Sequence, residues 1–190
     1  MSLLVAGLAV FFAIHLVPTA PALRARMQAM MGEGGYKLVF SLISVAGLAA
    51  VVVGYGAARP VSPDIWYPPA WTRHLTMGLM VIAMILLAAA YVPSRIRDRV
   101  RHPMLAAIKT WALAHLLTNG DLASMVLFGS FLGYGVFDRI SVKRRGDRGP
   151  LGDRQGTARG DVIAIVAGLV VYGLFVARLH EWLIGVPVSP

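Results

Sequence analysis

Two histidines stand inside runs of apolar residues, His15 in Leu8-Ala9-Val10-Phe11-Phe12-Ala13-Ile14-His15-Leu16-Val17 and His115 in Trp111-Ala112-Leu113-Ala114-His115-Leu116-Leu117. Imidazole is the commonest side-chain metal ligand and a frequent axial ligand of haem iron. An ionisable group in a membrane-spanning run is costly, so it faces a bundle interior and serves a function there. Trp111 precedes His115 by one helical turn, and Phe11 and Phe12 stand one turn before His15, so each histidine has large apolar neighbours on its own face. Spacing alone leaves three readings open: a shared haem, a single metal ion, and a buried hydrogen-bonded histidine. His74 is the rival ligand, because a tilted helix could bring it inward. His102 precedes Pro103 and suits a helix start, and His180 is placed too near an outer membrane surface to reach the same iron.

Other chemistry is scarce. The chain has no cysteine, which removes thiol catalysis, disulfides and iron–sulfur ligation. None of the nine carboxylates falls at the centre of an apolar run, so a two-carboxylate hydrolase is not expected. No phosphate-binding glycine loop, nucleophile elbow or dinucleotide fingerprint occurs.

The elements that must position the histidines are membrane helices. With 57% hydrophobic and 14% charged residues over 190 positions, the chain falls well below the ~25% charge of soluble domains. It reads as one all-α integral membrane domain, residues 1–190. Six apolar stretches, 2–20, 36–58, 72–92, 103–118, 121–138 and 161–184, predict a six-span bundle. A tight hairpin at Asn119-Gly120-Asp121 joins the fourth and fifth spans, with Asp121 as an N-cap. Asp138-Arg139 reads as a helix-end pair. Gly129 and Gly133 mark a face suited to close intramolecular helix packing.

The net charge of +9 comes from basic loops rather than a nucleic-acid surface. Fourteen of the eighteen basic residues lie in three alternating loops, at 24–37, 95–101 and 139–159. The positive-inside rule then puts both termini outside the cytoplasm, at the periplasmic face of a bacterial inner membrane. The 143–160 loop, rich in Gly and Arg, is expected to be flexible and to meet anionic lipid. Trp66, Tyr67 and Trp71 suit an outer aromatic belt or a lid. From the nearest basic residues, Arg24 and Arg101, the depths of His15 and His115 are about 13 and 21 Å at 1.5 Å per residue, so both address mid-membrane.

The motif series Arg101-His102-Pro103, Trp111-Ala112-Leu113-Ala114-His115, Asn119-Gly120-Asp121, Leu127-Phe128-Gly129, Asp138-Arg139-Ile140 and Lys143-Arg144-Arg145, with Gly32-Glu33-Gly34-Gly35-Tyr36 and His15 earlier, resembles the NnrU family of membrane proteins. That resemblance implies a link to denitrification, the metabolism of nitrite and nitric oxide. The family is similar to plant and cyanobacterial zeta-carotene isomerases, haem b membrane enzymes that isomerise a central cis double bond when the iron is ferrous. The similarity implies haem b held by His115, thirteen residues after the histidine of Arg-His-Pro, and by His15. It implies a polyene or nitric oxide as the small partner and membrane lipid as the surroundings. Ala112 stands where those isomerases carry a cysteine, so ligand exchange through a thiolate is absent. Arg-His-Pro at a helix start also resembles S-adenosylmethionine-dependent membrane methyltransferases. Their glutamate pair is incomplete here, since Glu33 and Glu181 are the only glutamates. A non-enzymatic accessory protein without a cofactor is the remaining class.

Overall fold

The computed structural model describes residues 1–188. They form helices α1 (Ser2–Leu16), α2 (Pro21–Ala58), α3 (Thr72–Ala89), α4 (Arg95–Val100), α5 (Pro103–Leu116), α6 (Leu122–Arg145), α7 (Ala158–Leu174) and α8 (His180–Ile184). No strand occurs among the described residues, whose one β-type pairing is an isolated bridge between Ser94 and Thr157. The protein is an all-α integral membrane protein. Five helical segments are long and apolar enough to cross a bilayer: 2–19, 21–61, 72–89, 122–145 and 158–184. The expected sixth span falls short because α5 has 14 residues, about 21 Å of helix against a ~30 Å hydrocarbon core.

Two compact units emerge, one of residues 1–63 and 121–127, the other of residues 64–120 and 128–190. In the first unit, α1 lies along α2. The α2 seam is Gly47, Val51, Gly54 and Ala58, all buried, at a spacing that keeps them on one helix face. A Cβ on Gly47 would lie 2.8 Å from the Phe11 nitrogen, and one on Gly54 would strike the Leu4 backbone nitrogen. Small residues are what let helix backbones approach in a membrane, where packing rather than water exclusion drives association. The close packing expected at Gly129 and Gly133 is absent, since nothing lies within 4 Å of a Cβ placed on either. Helix α2 begins at Pro21 rather than near residue 36, with Pro preset for the first helical turn. Gly32, at φ +74° and ψ 167°, kinks the helix without ending it.

Asp121 caps α6 as expected: its Oδ1 accepts from the Ser124 nitrogen at 2.8 Å. The Ser124 hydroxyl donates to Asp121 Oδ2 at 2.6 Å and lies 2.8 Å from the Tyr55 hydroxyl. Ser124 is fully buried, so this chain of hydrogen bonds fastens α2 to the start of α6 within the first unit.

In the second unit, α3 lies between α5 and α7 and touches both. Ser94 caps α4 and Thr157 caps α7 through bonds from the Arg97 and Gly160 nitrogens. The two caps are sewn together, because the Thr157 nitrogen donates to the Pro93 carbonyl at 3.1 Å and the Ile96 nitrogen to Asp161 Oδ1 at 3.1 Å. The basic loop expected to be flexible is anchored. Buried Arg97 donates to the Arg154 carbonyl at 2.6 Å and to the Gly152 carbonyl. Asp138 pairs with Arg145 at 3.7 Å, because α6 runs on to Arg145 and brings round a cation two turns later.

Candidate functional site

His115 occupies the last turn of α5. The carbonyls freed where a helix ends need partners, and Asn119 satisfies the one at His115 twice, through its backbone nitrogen and its side-chain amide, each at 2.9 Å. Thr76 on α3 donates to the Ala114 carbonyl at 2.7 Å and ties α3 to the same turn. Above it, Ile65 and Trp66 donate their backbone N–H groups to the Gly120 carbonyl at 2.7 and 3.3 Å. The aromatic loop is therefore docked on the turn that follows His115. Its Tyr67 and Trp71 are exposed, while Trp66 is half-buried.

Around the His115 ring stand three others. Phe128 stacks on it at 4.6 Å and 25°, Trp111 lies 5.5 Å away, and His180 lies 6.4 Å away with its plane within 16° of parallel. Phe128 also meets Trp111 edge-on at 5.0 Å, an arrangement that aromatic quadrupoles favour. Trp111 stands beside His115, as the helical spacing predicts, and His180 joins them. The expectation that His180 lies too far out to share a site with His115 is corrected. His115 stands in the last turn of the short helix α5, and the run from α7 to α8 brings His180 to within 6.4 Å of it. Between α7 and α8 the chain is wound as a π-helix over Phe175–Leu179, directly before His180.

Both imidazoles are fixed through the same atom. His115 Nδ1 is 2.9 Å from the Trp111 carbonyl, and His180 Nδ1 is 2.7 Å from the Val186 carbonyl. A carbonyl only accepts, so each Nδ1 carries a proton, and in the neutral ring Nε2 is then the nitrogen with the lone pair. That is the tautomer a metal-binding histidine uses, with its other nitrogen steadied by a backbone oxygen.

His15 has the same local form in the first unit. Its Nδ1 is 2.7 Å from the Phe11 carbonyl, its ring stacks on Phe11 at 4.0 Å, and Phe40 of α2 lies 5.0 Å away. Phe12 meets Phe11 edge-on at 5.5 Å. These rings adjoin a core of Ile14, Val17 and Tyr36. His15 belongs to the first compact unit and His115 to the second. The rival His74 is exposed in the first turn of α3, its backbone nitrogen bonded to the Trp71 carbonyl at 3.1 Å.

Arg101-His102-Pro103 opens α5, with Pro103 at the first position as expected. Arg101 has φ +66° and ψ −43°, and the His102 nitrogen donates to the Val100 carbonyl at 2.8 Å. This is the rare, strained hand of the γ-turn. Burial, and then the adjacent Arg139 guanidinium, hold the His102 imidazole below its usual protonation range.

The family model of the NnrU protein matches residues 3–188. The chain belongs to the NnrU family. The match covers α1 through α8, so both histidine surroundings lie within NnrU sequence. No curated protein and no solved structure matches the chain. No group of three or more His, Cys, Asp or Glu able to hold a metal occurs among the described residues. The histidine pair therefore offers two ligands and no third.

Proposed function

We propose that this NnrU protein is a membrane haem b protein whose iron is held by His115 and His180. The carrying observation is the pairing of the two imidazoles, 6.4 Å apart and nearly parallel, each anchored at Nδ1 by a carbonyl. His115 and His180 would hold the group through Nε2, and a 6.4 Å separation lets two imidazoles share one metal at bonds of about 2.0–2.1 Å. Two protein nitrogens do not complete the coordination of a lone ion, and a porphyrin supplies the rest. Bound haem would supply one-electron chemistry. The chain's own residues orient the two rings through Nδ1, leave Nε2 as the ligating nitrogen and flank the His115 ring with Phe128 and Trp111.

Both anchors are short local hydrogen bonds, so the pair is preorganised to stay. Lasting ligation by two histidines favours electron transfer or gas-responsive signalling over double-bond isomerisation, which needs an open iron position. Ala112 in place of a cysteine supports the same choice. The setting implied by the NnrU resemblance is nitrite and nitric oxide metabolism in the bacterial inner membrane.

The test is a histidine series, His15→Ala, His74→Ala, His115→Ala and His180→Ala, in protein made with ample haem. Haem content and the low-spin absorbance spectrum are the readouts. His115→Ala and His180→Ala should lose the low-spin signal, and the other two should keep it. Wild-type protein with no Soret band removes the haem reading. Loss on His15→Ala with retention on His180→Ala removes the ligand pair and restores His15.

A further inference from the structure

At the basic end of the second unit, α4, the start of α5, the end of α6 and the 146–155 loop enclose a cavity of about 580 Å³. Its wall carries six Lys or Arg side chains and three aspartates. The aspartates are already engaged: Asp98 with Arg97 at 3.8 Å, Asp147 with Arg145 at 3.8 Å, and Asp153 with Arg148. Arg97 is further occupied by two loop carbonyls. Arg101, Arg139, Lys143 and Arg154 line the cavity with no ion pair among the described residues.

A concave wall with four cations outside any ion pair attracts an anion. Three of the four are guanidinium forks, which match the oxygens of a phosphate. The strained γ-turn that carries Arg101 is a second sign, because costly backbone conformations gather at ligand clamps. An adjoining hollow of about 550 Å³ shares Arg139 and Lys143 and adds Ile140 and Arg144. Above Ile140, Val136 and Phe137 are exposed on α6, giving an apolar path that leads away from the cations. The positive-inside rule sets this end at the cytoplasmic leaflet, where anionic phospholipids reside.

We propose that this cavity is a binding site for a phosphate ester, its phosphate held by Arg101, Arg139 and Lys143. Two sources carry that chemistry: the headgroup of an anionic phospholipid, whose acyl chain would follow Val136, Phe137 and Ile140, and a soluble phosphoester. The site is separate from the histidine pair and does not depend on haem.

The test uses the purified full-length protein in neutral detergent. It is titrated separately with dioctanoyl phosphatidylglycerol, dioctanoyl phosphatidylcholine and glycerol 3-phosphate, and binding is read by native mass spectrometry. Saturable binding of phosphatidylglycerol in preference to phosphatidylcholine assigns a lipid headgroup, and binding of glycerol 3-phosphate alone assigns a soluble ester. Joint replacement of Arg101, Arg139 and Lys143 by Gln should weaken binding at least about tenfold, as loss of charge-assisted hydrogen bonds does. Replacement of Arg24 and Arg26 by Gln should leave it unchanged. Should the triple variant fail to fold, Lys143→Gln, at an exposed position on α6, should still weaken binding measurably. Equal binding of both lipids, binding of none of the three, or unchanged binding in the variants overturns the proposal.

Discussion

Gly54 and Gly56 lie two residues apart on α2, and replacing each by alanine should move stability in opposite directions. At Gly54 the added methyl would meet α1: the ideal Cβ lies 2.7 Å from the Leu4 Cα and 2.8 Å from the Leu3 carbonyl carbon, against 3.4–4 Å for ordinary contact. Both obstacles are backbone, so no side chain can swing aside. The helices must part by a good fraction of an ångström over a seam that includes Gly7 and Gly47. Overpacking of this kind costs about 1–3 kcal/mol, and the better helix propensity of alanine returns about 0.5–1 kcal/mol. The net expectation is a loss of about 1–2 kcal/mol. At Gly56 nothing lies within 4 Å of the Cβ, so only the propensity gain of about 0.5–1 kcal/mol remains. Unfolding of the two variants in the same detergent, followed by helical circular dichroism against heat or denaturant, measures the difference. Gly54→Ala should unfold earlier than wild type and Gly56→Ala later. Shifts in the same direction, or a Gly54→Ala protein as stable as wild type, would refute close α1–α2 packing at this seam.

Two further outcomes follow from buried polar groups and backbone strain. Ser124→Ala removes the hydroxyl between Asp121 and Tyr55 and strands a buried carboxylate oxygen, for a loss of about 2–4 kcal/mol. Tyr55→Phe, which removes one end of the chain, should cost about 1 kcal/mol; equal losses for the two would show that Ser124 does not bridge them. At Arg101, Gly should be more stable than Ala by about 1–3 kcal/mol, the reverse of the usual order, because φ is +66°. Chemical unfolding of Arg101→Gly and Arg101→Ala compares them directly, and an Ala variant at least as stable as Gly removes the strain.

The sequence makes the helical class legible because its apolar runs are long and its loops are charged. Pro21, Pro103 and Asp121 sit at helix starts for reasons visible in the residues themselves. The Trp111–His115 face follows from helical spacing. His180 escaped because depth was counted from the basic loops, where errors of helix length and tilt accumulate. Counted from the C-terminal ends of the predicted apolar stretches, His115 lies three residues before 118 and His180 four before 184. The helix through 21–35 was hidden by Gly32, Gly34 and Gly35, which read as a loop although only Gly32 departs from helical geometry. Small residues announce that a close approach is available without saying which face takes it. Gly47 and Gly54 meet a partner helix, whereas Gly129 and Gly133 do not.

The π-wound turn at Phe175–Leu179 amounts to one residue inserted into an α-helix, and such bulges recur at functional positions. Each residue of an α-helix turns the chain by about 100°. Without the insertion, everything after Leu179 would be rotated by that angle, and the residue facing His115 would no longer be His180. The direction of that imidazole is therefore encoded by a length rather than by a side chain. A single-codon deletion within 175–179 would leave every histidine in the protein and still take the pair apart, and a descendant could gain or lose the pairing in one step without changing either ligand.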